Sequence, residues 1–193
     1  PSSAPVGPVL PDIARTLGLP GDVQVMAGGV DNSCMALGGR CFDPGDAYLS
    51  LGSSSWISVA SSQPILDARV RPYVFAHVLP DRFVSATSIF SSGTSVDWLR
   101  AMLTPGADPQ AFMDLAARAP AGANGLIFVP TLGGGTSFEG GPDVRGGMVG
   151  LDLGHSPADL ARAALEGVAL GLRAALGALQ DLCPVSDEIL VTG

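Results

Sequence analysis

The stretch HSPADLARAALEGVALGLRAALGALQDL (155–182) constrains the fold more than any other part of the chain. Leu160, Ala164, Val168, Leu172, Leu176 and Leu179 recur every three or four residues, which puts one apolar stripe on a helix. Ser156 is a suitable cap, and Pro157 suits the first turn. Asp159 follows three residues after Ser156, as in a capping box. Gly167 and Gly171 keep one side of this helix thin, so another backbone can pack against it.

Strands and shorter helices precede it. Residues 1–11 read as an extended, proline-rich lead-in, and PDIARTLGLPGD as a short helix stopped by Gly18 or Gly21. VQVMAG (23–28) reads as a short buried strand and NSCMALGG (32–39) as a helix, so Asp31 falls at a strand-to-helix junction. DAYLSLGSSSWISVA (46–60) reads as two strands around the turn Gly52-Ser53-Ser54. YVFAHV and FVSATSIF form another strand pair. GTSVDWLRAML and DPQAFMDLAARA are helices, NGLIFVP is a strand closed by Pro130, and DEILVTG is a final strand running into Gly193. TLGGGTSFEGGPDVRGG (131–147) is a long loop, functional or mobile. Strands mixed with helices give an α/β class. The proline-rich start and the stop on a strand-glycine lead us to expect a piece of a longer protein.

Composition removes several functions. Net charge is −8, and all ten basic residues are Arg. That balance disfavours a nucleic-acid surface, and the absence of Lys excludes a Walker-A phosphate loop. If the chain holds phosphates, it does so with backbone N–H groups, hydroxyls and a metal. Cys34, Cys41 and Cys183 fit no disulfide framework and no zinc spacing, so they read as small core residues in a reducing compartment. No apolar run reaches membrane-spanning length, and a cytoplasmic protein is expected.

The candidates for chemistry follow. Asp31 is either a helix N-cap or a carboxylate aimed at a ligand. Gly52-Ser53-Ser54 is either an ordinary hairpin turn or an anion-binding concavity. The SSGTS start of the next helix (91–95) is a second place for an anion, because helix N-termini attract negative charge. The strand entering Gly193 is a third place where backbone can approach a nucleotide. His77 reads as a strand residue, His155 as a helix lead-in and Glu139 as a solvated loop acid.

Taken in order, AGGVDNSCMALG, YLSLGSSSWISVA, GGMVGLDLGHSPADLARAALEGVALGLR and ILVTG resemble the FGGY family of carbohydrate kinases, nearest its xylulokinase-like subgroup. The resemblance implies an incomplete ribonuclease-H-like, actin-like ATPase fold. Residues 1–45 would end the first domain, and 46–193 would form much of an ATP-binding second domain. It implies transfer of the ATP γ-phosphoryl to a sugar hydroxyl, with ATP and Mg²⁺ as cofactors and a small sugar as partner. It leaves a homodimer open. Asp31 aligns with the catalytic aspartate and Asn32 with a sugar contact. Gly52, Ser53, Ser54, Gly93, Asp97 and Gly193 align with nucleotide positions, and no side chain is assigned to a metal. Related xylulokinases often carry Gly-Glu-Arg-Thr-Pro where this chain has LGGGTSFEGGPDVRG. The sugar therefore stays open among xylulose, ribulose, glycerol, erythritol and gluconate, and a non-kinase ATPase or sugar sensor remains the rival class.

Overall fold

The turn residues and apolar runs place nine strands and five α-helices in the computed structural model, which describes residues 1–193. In chain order they are β1 (Pro5–Pro8), α1 (Pro11–Leu17), β2 (Gln24–Met26), α2 (Asp31–Gly38), β3 (Ala47–Leu51), β4 (Ser55–Ser61), β5 (Tyr73–Ala76), β6 (Phe83–Ile89), α3 (Ser92–Leu103), α4 (Pro109–Ala116), β7 (Ile127–Val129), β8 (Gly147–Val149), α5 (Pro157–Gln180) and β9 (Ile189–Thr192).

The centre is a five-stranded sheet in the order β5-β6-β4-β3-β9. Neighbours run antiparallel except β3 and β9, which are parallel. Alternation along the strands gives the sheet two apolar faces. On one face Tyr48, Ala60 and Val84 pack with Ala36 of α2 and with Cys41. On the other, Ile57, Val59 and Ile89 pack against Leu172 and Leu179 of α5. The first half of α5 buries Ala161, Ala163 and Ala164 against Leu99, Phe112 and Phe128. Burying a side chain of the size of Leu99 or Phe112 is worth about 1.5–3 kcal/mol, so this helix welds the sheet to α3, α4 and β7.

The expectation for α5 holds in detail. Asp159 Oδ2 accepts the Ser156 N–H at 2.8 Å, as a capping box requires. At Gly167 a Cβ would overlap the Phe128 carbonyl, lying 3.0 Å from its carbon, so only glycine lets β7 approach the helix here. Two carboxylates of α5 also hold the segment before β7, in which Gly122, Ala123, Asn124 and Gly125 all have positive φ. Glu166 accepts the Gly122 N–H at 3.0 Å, and Asp159 Oδ1 accepts from the Asn124 amide at 2.8 Å. The Arg162 guanidinium, first among several causes, holds Glu166 below the usual carboxylate range. The Ser156 backbone N–H does the same for Asp159.

Four expectations change. The lead-in is not merely extended: Pro5–Pro8 pairs with β2 in a separate two-stranded sheet. β2 is exposed rather than buried, because β1 is its only strand partner and no layer covers the pair. The 131–147 loop ends in β8, which pairs with β7. Cys34 is exposed, so only Cys41 is fully a core residue.

Candidate functional site

β3 and β4 meet at the turn Gly52-Ser53-Ser54, with Leu51 paired to Ser55, as the sequence predicts. The turn is exposed, and Ser55 beyond it is buried. The start of α3 packs directly on it. Gly93 N–H donates to the Gly52 carbonyl at 3.2 Å, and Thr94 N–H donates to the Ser53 carbonyl at 3.0 Å. The Thr94 hydroxyl reaches the same Ser53 carbonyl at 3.1 Å, and Ser92 Oγ lies 2.6 Å from Ser55 Oγ. A Cβ on Gly93 would overlap the Gly52 carbonyl. Gly193 follows β9 and stands beside Leu51 just as closely, a Cβ there lying 3.2 Å from the Leu51 carbonyl carbon. Gly52, Gly93 and Gly193 therefore converge at one end of the sheet, although they lie far apart in sequence.

This geometry corrects one expectation. The N-terminus of α3 is not a free set of donors, since its Gly93 and Thr94 N–H groups are consumed by the hairpin turn. Asp97 lies one turn further along α3, exposed and bonded to Arg100 at 3.0 Å.

Asp31 sits at the first residue of α2, and Val30 takes the cap position. The capping alternative thus fails: the Val30 carbonyl accepts the Ser33 and Cys34 N–H groups, each at 3.0 Å. The exposed Asp31 carboxylate accepts only the neighbouring Asn32 N–H, at 2.7 Å. The bend before it uses Gly28 at φ +72°, a conformation suited to glycine. Ser33 Oγ donates to the Ala76 carbonyl at 2.7 Å and fixes the helix to the end of β5. Tyr48, fully buried on β3, lies under α2. Its Cβ would meet a Cβ on Gly39 at 2.9 Å, and its hydroxyl donates to the Asn32 carbonyl at 3.3 Å. Burial pushes the Tyr48 phenol up, so it stays a neutral donor. Asn32 Oδ1 is buried without a partner. No hydrogen bond joins Asp31 or Asn32 to the hairpin turn. A cleft of about 1010 Å³ opens beside Gly28, Gly29 and Val30 and runs along Val74–Phe83.

Other titratable groups have structural work. Glu139 is not a solvated loop acid: it accepts the Phe90 N–H at 3.1 Å and the Thr136 N–H at 2.9 Å, strapping the glycine-rich loop to the end of β6. His77 lies just after β5. Its Nε2 pairs with the Cys41 carbonyl at 3.0 Å, and its Nδ1 accepts the Leu79 N–H at 2.8 Å. Burial pushes its imidazole below the ordinary value. His155 directly precedes the cap of α5, and its Nδ1 accepts the Asp152 N–H at 3.0 Å. Cys41 is buried, and its thiol is pushed up to about 12. No three His, Cys, Asp or Glu side chains cluster closely enough to hold a metal ion. No helix is long and apolar enough to cross a membrane. Sequence reading missed Tyr48 as a support for α2. It offers the SSGTS start as an anion site, whereas the Ser92 and Thr94 hydroxyls turn onto the hairpin.

Comparison with solved structures shows that this five-stranded mixed sheet with helices on both faces is the fold of sugar kinases of the actin-like ATPase class. The crystal structure of xylulose kinase from Rhodospirillum rubrum superposes with a TM-score of 0.88 at 31% identity, covering all of this chain and 39% of that one. Gluconate kinase from Lactobacillus acidophilus superposes with a TM-score of 0.91 at 27% identity, with the same coverage. The xylulose kinase of Staphylococcus epidermidis is 34% identical over 167 residues, 86% of this chain and 34% of the relative. The family model for the C-terminal domain of the FGGY carbohydrate kinases matches residues 47–193. The chain belongs to the FGGY family of carbohydrate kinases. It spans about a third of the length of the curated relatives it matches.

Proposed function

We propose that the intact protein containing this chain is an ATP-dependent sugar kinase. In this reading Asp31 is the general base, the β3–β4 turn faces the nucleotide phosphates, and D-xylulose is the first expected acceptor. Residues 1–45 belong to the end of one domain and 46–193 to a nucleotide-binding domain. The observation that carries the reading is Asp31 itself: an exposed carboxylate at a fixed bend, released from capping by Val30. A sugar hydroxyl placed there gives its proton to the carboxylate as its oxygen bonds to the γ-phosphorus. The bond from that phosphorus to the bridging oxygen breaks, and ADP leaves. Such transfers pass through a loose transition state, so orientation of the hydroxyl counts for more than basicity. Asn32, one residue on, is assigned to the sugar, and its unpaired Oδ1 supports that role. Gly52, Ser53, Ser54, Gly93, Asp97 and Gly193 are assigned to the nucleotide side.

ATP fits the exposed hydroxyls and amides of the turn. Mg²⁺ belongs to the reading as the ion accompanying the nucleotide. The acids of this chain do not form a cage for it, so no step is assigned to them through the metal. A cytoplasmic setting belongs to the reading too, and a homodimer stays open. A gluconate-type acceptor is the second reading, favoured by the likeness to gluconate kinase.

The deciding experiment measures ADP production by the intact protein with ATP, Mg²⁺ and a panel of D-xylulose, D-ribulose, glycerol, erythritol and D-gluconate. Release that depends on D-xylulose supports the first reading, and release that depends on gluconate supports the second. Nucleotide binding without acceptor-dependent release overturns both and points to a sensor or another ATPase.

A further inference from the structure

We propose that Thr94, with Ser92, is a positioning residue for the nucleotide phosphates: it keeps the carbonyls of the β3–β4 turn facing inward, so that the turn offers an anion donors and no free carbonyl. The proposal rests on the kinase reading above. A triphosphate accepts hydrogen bonds and donates none, so any turn carbonyl facing it would repel it and lose its own solvation. The chain has no Lys to offset such repulsion.

All three carbonyls of the turn are already occupied. Gly52 O accepts the Gly93 N–H at 3.2 Å and the Ser92 hydroxyl at 3.4 Å. Ser53 O accepts the Thr94 N–H at 3.0 Å and the Thr94 hydroxyl at 3.1 Å. Ser54 O accepts the Gly52 N–H at 3.1 Å. The N–H groups of Ser53 and Ser54 bond to nothing within the chain, and both side chains are exposed. What faces outward is two amides and two hydroxyls, a rim with no free carbonyl whose donors suit phosphate oxygens. The carbonyls also lie against the positive end of α3, which favours their inward orientation. Thr94 supplies two of the bonds from one residue. It is exposed, so its hydroxyl is not needed for the core.

The test compares wild type, Thr94→Val and Thr94→Ser in the intact protein. Valine keeps the branched shape and removes the hydroxyl donor, whereas serine restores that donor. For Thr94→Val the KM for ATP rises about three- to tenfold, the scale of one hydrogen bond, while the KM for sugar stays within about twofold. Thr94→Ser returns the KM for ATP to near the wild-type value. An unchanged KM for ATP in Thr94→Val overturns the proposal. So does a joint rise of both KM values with a lowered unfolding midpoint, which marks general destabilisation. If wild type releases no acceptor-dependent ADP, the kinase reading itself has failed. ADP titration of wild type and Thr94→Val then decides the clamp separately: weaker binding by the variant supports it, and equal or absent binding overturns it.

Discussion

The hairpin end of the sheet and the segment carrying Asp31 are built differently. At the hairpin end, backbone bonds to backbone, and the hydroxyls of Ser55 and Ser92 pair in a buried site. At the acid end, β1 and β2 are largely exposed, and α2 buries only Ser33 and Ala36. Both ends carry glycines under close contacts, from side chains at Gly29 and Gly39 of the acid end and from backbone at the hairpin end. Gly93 has the Gly52 carbonyl against it, whereas Gly28 and Gly38 have nothing within 4 Å of a Cβ. Many short backbone contacts set the turn. A few side chains set the acid, chiefly Tyr48 and Ser33. A loss of packing should therefore move Asp31 before it moves the turn.

The largest test is chemical. Asp31→Asn in the intact protein is expected to lower kcat by about 10²- to 10⁴-fold, the scale of general base catalysis, with ATP affinity nearly kept. Steady-state kinetics with a nucleotide titration checks this, and normal turnover would reduce Asp31 to a local backbone partner. The next test sets the glycines against each other. Gly93→Ala forces a methyl into the Gly52 carbonyl and costs about 1–3 kcal/mol. Gly38→Ala, at the end of α2 and in open space, is neutral or stabilises by up to about 1 kcal/mol. Urea unfolding of the two variants reads both, and equal effects would erase the contrast between the ends.

Two smaller effects sharpen it. Ser53→Ala removes one outward hydroxyl and is expected to weaken ATP about three- to tenfold, with little change for sugar. Unchanged ATP affinity would remove Ser53 from the phosphate site. The last test concerns the acid end, where His77 ties Cys41 to Leu79 in its neutral form. Its folded-state pKa lies below the ordinary value near 6.5, so the unfolded chain binds the extra proton more readily. The stability it contributes is complete above about pH 6.5 and falls as pH drops through that value toward the folded-state pKa. The lowered carboxylates Asp159 and Glu166 lose theirs only at more acidic pH. A His77→Gln variant should lose less stability than wild type between about pH 7.5 and pH 5.5. An identical loss in both would place the pH dependence elsewhere.

What the sequence revealed follows the range of each interaction. α5 was legible because its period, cap and first turn are local signals, and the β3–β4 hairpin was legible for the same reason. β8 was not: three residues beside a glycine-rich loop carry no period, and β7 alone defines them as a strand. β1 was hidden by its prolines. The exposure of β2 was hidden because burial depends on what covers a strand, not on its own residues. Within the site, the bend and Asp31 stood out. The clamp from Ser92 and Thr94 did not, since their bonds to the turn span about forty positions. Tyr48 looked like any core aromatic, because nothing in a sequence shows that a ring will lie under one particular helix.

The parallel pairing of β3 with β9 has a consequence for the order of assembly. β3, β4 and β6 come together from neighbouring parts of the chain, and α3 closes on the turn soon after them in sequence. β9 and Gly193 come from much further along the chain and dock against the β3 edge. Joining such distant segments costs more loop entropy and comes later in folding. As the chain leaves the ribosome, the β3–β4 turn is shaped before β9 and Gly193 reach it. A nucleotide gripped by both would reward only the sheet with β9 in place, so ligand affinity doubles as a report on whether β9 has docked.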